Sequence, residues 1–327
     1  MSEVKANRSS RRPSFSPTPT ISKRNRTPLA IVDNSGNSRQ QQRQMRSKTP
    51  FRGGSKPIGF NYAKDIYEHL ISRQQFVDTM FHSYVSPQTR STIIEWLFII
   101  CHHFGTPRSV IHATIGILDR CLKSMPVEKN SFQLIGATCL FLSLKMHAPK
   151  TIPLSKIAEE CANQFSTSDF LECETQILES INYDLSNPTV LDFLDLHEAN
   201  LASYKSLQQI IWFISDIHLQ FSAFLRFRIS TISNAIVIYS LHLFGESILQ
   251  PGLKSLLLHE NWKELYECIE EIHGLLVSLF NKKKTCIIEK IQPEISKKMK
   301  DLIGVPSLPS IISYLSLFPE VDLDMDL

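Results

Sequence analysis

Cys101, His102 and His103 stand side by side and carry the sulfur and imidazole ligands that hold zinc. A structural zinc site needs a second ligand pair at a defined spacing. No C-x-x-C or further Cys/His cluster accompanies these three, so packing is their better reading. Nucleophilic and phosphate chemistry find no support either: the chain has no G-x-S-x-G elbow, no P-loop and no H-E-x-x-H helix. An enzyme is therefore the least supported class, and neither cofactor nor metal is called for. What remains is the chemistry of charge and of modification. Lys145 and Glu174, of opposite sign, lie roughly one helix apart. Ser16, Thr18, Thr27 and Thr49 each precede proline, and phosphorylation there lowers the local charge by up to about two units per site.

The modest net charge of +3 hides a segregation. Residues 1–57 hold 13 lysines and arginines against Glu3 and Asp33, a net of +11, which leaves −8 for residues 58–327. Stretches such as RRPSFSPTPTISKRNRTP contain few large apolar side chains, too few for burial to offset the entropy of ordering, so a disordered regulatory tail is predicted over 1–57. Within it Arg11 and Arg12, then ten residues, then Lys23, Arg24 and Arg26 match the layout of a bipartite nuclear import signal. Location in nucleus and cytoplasm follows from that reading. Sequence-specific nucleic-acid binding has no motif to support it, although a basic tail binds phosphates non-specifically. The opening MSEVKANRSSRR has no apolar core after its charges, no apolar run approaches the ~20 residues of a membrane span, and the seven scattered cysteines suit a reducing compartment.

From about residue 58 the apolar positions recur at helical spacing and no strand alternation competes. A helix over QTRSTIIEWLFIICHHF should stop before Gly105, with Thr106 capping a second helix that has Pro107 in its first turn. In that second helix Val110, Ile111, Thr114, Ile115, Leu118, Cys121 and Leu122 define one buried face. A third, SFQLIGATCLFLSLKM, is apolar nearly all round, which marks a helix enclosed by others; its small residues Gly136, Ala137, Cys139 and Ser143 admit close neighbours, and Lys145 near its end suits the helix dipole. A fourth helix near PLSKIAEECANQF and a fifth, SDFLECETQILESIN, with Ser166 and Thr167 as cap candidates, complete a five-helix unit. Asn187 and Pro188 then start another helix, and four more helical stretches follow beyond Asp195.

These segments resemble the cyclins. YAKDIYEHL at Tyr62–Leu70 is similar to the Y-x-x-D-I-x-x-Y-L helix of A- and B-type members, RSTIIEWL to their R-A-I-L-V-D-W-L, and ILDRCL to their Y-I-D-R-F-L. RISTISNAIVIYSLHLFG is similar to the P-S-x-I-A-A-A-A-L-x-L-A helix of the cyclin C-terminal box. The resemblance implies an all-α protein of two tandem cyclin-fold five-helix domains, 58–193 and 194–327, behind the basic tail. It implies a structural salt bridge between Arg90 and Asp119. It further implies a non-catalytic, activating subunit of a cyclin-dependent protein kinase in mitotic or meiotic progression, closest to the B-type and fungal in character. Lys145 and Glu174 take the positions of the family's kinase-contacting lysine and glutamate, with Ile66, Leu142, Met146, Leu178 and Leu185 as their apolar neighbours. RTPLAIVDN resembles a destruction box through Arg26, Leu29 and Asn34, which implies recognition by an anaphase-promoting ubiquitin ligase, and TPFR at Thr49 fits the preference of cyclin-dependent kinases.

The departures carry information as well. The family's substrate-docking patch reads here as Thr89, Thr92, Ile93 and Trp96, with two apolar anchors turned into threonine. The residues after the lysine are Met146, His147 and Ala148 in place of acids, which bears on the choice of kinase. The rival reading is a cyclin-fold, transcription-associated scaffold that binds nucleic acid or a transcriptional kinase. A zinc ribbon with paired C-x-x-C usually marks the scaffold class, and residues 1–57 contain no cysteine.

Overall fold

The structure, a computed structural model, describes residues 62–74, 85–150, 152–201, 205–244 and 261–281, together with 294, 295 and 297. The expected regulatory tail lies outside them, and with it the destruction-box residues Arg26, Leu29 and Asn34, the import residues Arg11, Arg12, Lys23 and Arg24, and Ser16, Thr18, Thr27 and Thr49.

Ten α-helices and three short 3-10 segments make up the described residues. A first helix, α1 (Ala63–Arg73), precedes a five-helix unit of α2 (Pro87–Phe104), α3 (Arg108–Ser124), α4 (Phe132–His147), α5 (Leu154–Glu160) and α6 (Thr167–Ser180). A linker then leads to α7 (Val190–Leu201), α8 (Lys205–Ile217), the 3-10 turns His218–Gln220 and Ser222–Arg226, α9 (Ile229–Leu243) and α10 (Trp262–Asn281). Among the described residues no helix is long and apolar enough to cross a membrane.

Each unit is built around one enclosed helix. In α4 the run from Ile135 to Leu140 and from Leu142 to Leu144 is buried, and in α9 every residue from Ser230 to Leu241 is buried. Gly136 explains how α2 comes so near α4: a Cβ there would stand 3.0 Å from Ile93 Cγ1, closer than packing tolerates. One continuous apolar core runs through both units.

The helix ends show where local chemistry acts. Gly105 adopts the left-handed conformation (φ 61°), its N–H donating to the His102 carbonyl and that of Thr106 to the Cys101 carbonyl, a Schellman closure of α2. Thr106 was expected to cap α3, and this is corrected: its hydroxyl also donates to the Cys101 carbonyl, and Pro107 occupies the cap position with no side-chain bond. Ser166 and Asp169 form a full capping box on α6, each side chain accepting the other's backbone N–H. The helix after the linker begins at Val190, later than Asn187–Pro188, because Thr189 gives its N–H and hydroxyl to the Asp192 carboxylate. The long stretch from Ser206 to Phe224 breaks after Ile217 into the two 3-10 turns.

Candidate functional site

Lys145 lies in the last turn of α4, where its cation suits the carbonyl end of the helix dipole. Glu174 sits on α6, which packs along α4, and the Lys145 ammonium donates a hydrogen bond to Glu174 Oε1. The same ammonium stands 4.5 Å from the centre of the Phe141 ring, one turn earlier on its own helix. Lys145 is 38% exposed and Glu174 17%, so the pair forms a charged rim that solvent reaches. A pair this wet adds about 0–1 kcal/mol to stability, which leaves fold maintenance to the apolar core.

The other positions singled out by the resemblance differ in exposure. Met146 is 53% exposed beside Lys145, and Ile66 on α1 is 46% exposed. Leu178, one turn after Glu174, and Leu185 beyond it are half-buried. Leu142, counted with these from the sequence, is corrected: it is buried against the core at 3% exposure and supports the platform from beneath instead of offering surface.

The turn after α6 holds a feature the sequence pattern did not single out. Asn182 and Tyr183 both take left-handed conformations (φ 53° and 57°), a costly arrangement for a bulky aromatic. The Tyr183 N–H donates to the Leu178 carbonyl at 2.7 Å, and the ring is left 64% exposed. Backbone bonds thus hold an aromatic out in solvent two residues before Leu185. Asp184, next in the chain, accepts from Arg73 Nη2 at 2.9 Å and from the Ser186 N–H and hydroxyl, which ties α1 to this turn. Burial opposes ionisation of Asp184, but the Ser186 bonds and the Arg73 charge outweigh it and hold the carboxyl below its usual range. A groove of about 550 Å³ continues from Met146 and Leu185 past Leu70 and Arg73 to Trp212.

The second charged pair is of another kind. Arg90 Nε donates to Asp119 Oδ1 at 2.6 Å and Nη2 to Oδ2 at 2.8 Å, a two-pronged bridge between α2 and α3. Arg90 is 1% exposed and Asp119 4%, so this bridge is a buried strut.

The face formed by Thr89, Thr92, Ile93 and Trp96 is not a continuous apolar patch. Thr89 shares a hydrogen bond with the Ser86 hydroxyl and Thr92 donates to the Gln88 carbonyl, so both hydroxyls serve their own helix. Ile93, expected on that surface, is corrected to a core position: it is 8% exposed and backs onto Gly136. Trp96 is half-buried. Of the Cys101, His102 and His103 run, Cys101 is buried, which pushes its thiol up to about 11, and His103 pairs with Glu160 at 2.8 Å. Among the described residues no group of His, Cys, Asp and Glu is placed to hold a metal ion.

The family "Cyclin, N-terminal domain" matches residues 60–186, and "Cyclin, C-terminal domain" matches 188–302. The G2/mitotic-specific cyclin-B3 of Mus musculus is 26% identical over 260 residues, covering 74% of this chain and 18% of that protein. The G2/mitotic-specific cyclin-B2 of Oryzias luzonensis is 31% identical over 159 residues, covering 44% of this chain and 40% of that protein. The chain thus spans well under half the length of these relatives. Among solved structures, one from the yeast RNA Pol II CTD kinase CTDK-1 complex superposes with a TM-score of 0.51 at 15% identity, covering 76% of this chain and 86% of that one, a likeness of fold.

Proposed function

Because the chain belongs to the cyclin family, we propose that it is the activating, non-catalytic subunit of a cyclin-dependent protein kinase, and that the rim of Lys145 and Glu174 is where the kinase docks. The observation that carries this reading is the exposed ion pair itself, together with Ile66 and Met146, two large apolar side chains left in solvent at the positions the family resemblance assigns to kinase contact. Charged groups orient a partner and apolar anchors supply most of the affinity, so a helix with an apolar face and polar flanks fits here. A surface that binds one position of a mobile kinase helix more tightly than another shifts the kinase toward that position. If the preferred position is the one in which the kinase's own Lys–Glu pair forms, binding is activation. The residues of this chain hold and orient; none transfers phosphate.

Periodic removal completes the proposal. Arg26, Leu29 and Asn34 form the segment through which a ubiquitin ligase of the anaphase-promoting type would recognise the chain at mitotic or meiotic exit, and residues 11–26 would direct it to the nucleus.

The deciding experiment is a pull-down of the full chain from cycling cells with a histone-kinase assay on the captured material. Wild type is expected to bring down kinase activity, and Lys145→Ala with Glu174→Ala to lose it while keeping its helical circular dichroism. Equal activity in both would remove the proposed surface. A separate chase measures lifetime: Arg26→Ala with Leu29→Ala should lengthen it at division, and an unchanged half-life disposes of the degradation signal.

A further inference from the structure

The two folds meet around a cavity of about 90 Å³ that the docking surface does not use. Arg90, His112 and Gly116 line it from the first fold, Thr189 from the linker, and His218, Phe221, Phe224 and Ile232 from the second. Most of this lining is apolar. Three of its buried side chains nonetheless carry nitrogens without a hydrogen-bond partner: Arg90 Nη1, His112 Nδ1 and His218 Nδ1. Buried polar atoms are seldom left so, and each unpaired one costs free energy.

The roles of these nitrogens follow from their other bonds. Arg90 Nη1 can only donate. His112 Nε2 lies 3.2 Å from the Asp216 carboxylate and donates to it, so the ring is committed to that ion pair. His218 is neutral, since burial and the neighbouring His112 pull its pKa down to about 3, and it bonds the Ser215 carbonyl. With Nδ1 unpartnered, that bond belongs to Nε2–H, and Nδ1 is an acceptor. The site thus offers a donor, Arg90 Nη1, and an acceptor, His218 Nδ1, beside aromatic walls.

Gly116 supplies an independent observation. It sits at the middle of α3, where glycine weakens a helix relative to alanine. No neighbour requires it, because a Cβ there would meet nothing within 4 Å, in contrast to Gly136. What its missing side chain does is keep the cavity open.

We propose that this cavity binds a small neutral alcohol, whose hydroxyl accepts from Arg90 Nη1 and donates to Nδ1 of His218 while its carbons rest on Phe221, Phe224 and Ile232. The volume is well below the ~150 Å³ of an apolar cavity that takes benzene, so the ligand is small and has no ring. Bound there, it touches both folds and ties them together.

The probe is propan-2-ol, titrated into the full-length chain and followed by ligand-observed saturation-transfer NMR, with acetone as the matched molecule that accepts but cannot donate. Saturable binding of propan-2-ol is expected, with acetone at least tenfold weaker, because a site built around a hydroxyl is left with an unpaired acceptor otherwise. Gly116→Leu should abolish the signal by filling the cavity, with a melting temperature equal to or above wild type. Equal binding of the two solvents, binding unaffected by Gly116→Leu, or no saturable binding of propan-2-ol each overturns the proposal. The solvent comparison needs no variant, so it decides even if Gly116→Leu disturbs the fold.

Discussion

Arg90–Asp119 and Lys145–Glu174 are chemically alike and physically opposite. The first pair is almost fully buried and bidentate, the second solvated at its lysine. Removing one partner of a buried pair strands a charge in a low dielectric, so Arg90→Ala should lower unfolding free energy by about 3–5 kcal/mol, read from urea denaturation. Arg90→Lys should recover little of it, since a point ammonium cannot reproduce the two-pronged geometry. The double change Lys145→Ala with Glu174→Ala should shift the same curve by no more than about 1 kcal/mol. A larger loss would make the rim a structural element and weaken its reading as a docking face. Resemblance to the family was enough to place all four of these residues, because each sits in a short run with several matching neighbours. It did not reveal Tyr183, whose prominence comes from two successive left-handed backbone conformations that no spacing of residue types announces. It also assigned Leu142 and Ile93 to surfaces, where a helix apolar on all sides gives no clue to which side is outermost.

Helices were legible from period and punctuation, and the ends most legible were those with side-chain chemistry of their own. Ser166 and Thr167 both read as cap candidates, and Ser166 takes the cap in a box with Asp169, whose N–H is bonded to the Ser166 hydroxyl at 3.2 Å. Ser166→Ala should therefore cost about 1 kcal/mol, measurable as a lower urea midpoint with an unchanged slope. Because α6 carries Glu174, Leu178 and the Tyr183 turn, fraying it should also weaken partner capture, although no docking residue is altered. Unaltered stability in this variant would mean that packing alone fixes the start of α6. Thr106 misled for a related reason: a threonine between a glycine and a proline can close the helix behind it or open the one ahead. Its N–H and hydroxyl both go back to Cys101, and with them bound there the cap of α3 falls to Pro107. The split of the Ser206–Phe224 stretch into α8 and two 3-10 turns was likewise not visible in a continuous apolar pattern.

The two folds are joined by polar contacts between sequence-distant residues, and pH should expose how much they matter. Asp216, after Trp212 on α8, accepts Arg108 Nε at 3.0 Å on both oxygens and lies 3.2 Å from His112, while α1 reaches across to the second fold through Tyr67 edge-on to Phe193 and Gln74 accepting the Ser230 N–H. At this junction His218 faces His112, Asp216 and Arg90, and deeper in the second fold His197 bonds Asn234. Burial is the main cause of the low pKa of both, about 3 for His218 and about 4 for His197, against an ordinary value of 6.5. Depressed folded values mean that the unfolded chain takes up protons first as pH falls below 6.5. Stability is therefore whole above 6.5 and declines below it, His197 ceasing to contribute to the slope near pH 4 and His218 near pH 3. Each histidine adds a slope on the order of 1 kcal/mol per pH unit within its window. Asp216, whose hydrogen bonds and neighbouring cations outweigh its burial and lower its pKa, pushes the same way at the acid end. Urea midpoints should hold from pH 7.5 to about 6.5 and fall from there to 4 for wild type, and the fall should flatten when His197→Gln and His218→Gln are combined. An unchanged slope in that double variant would show that the acid sensitivity of the fold resides in its carboxylates, and that the two buried histidines are spectators.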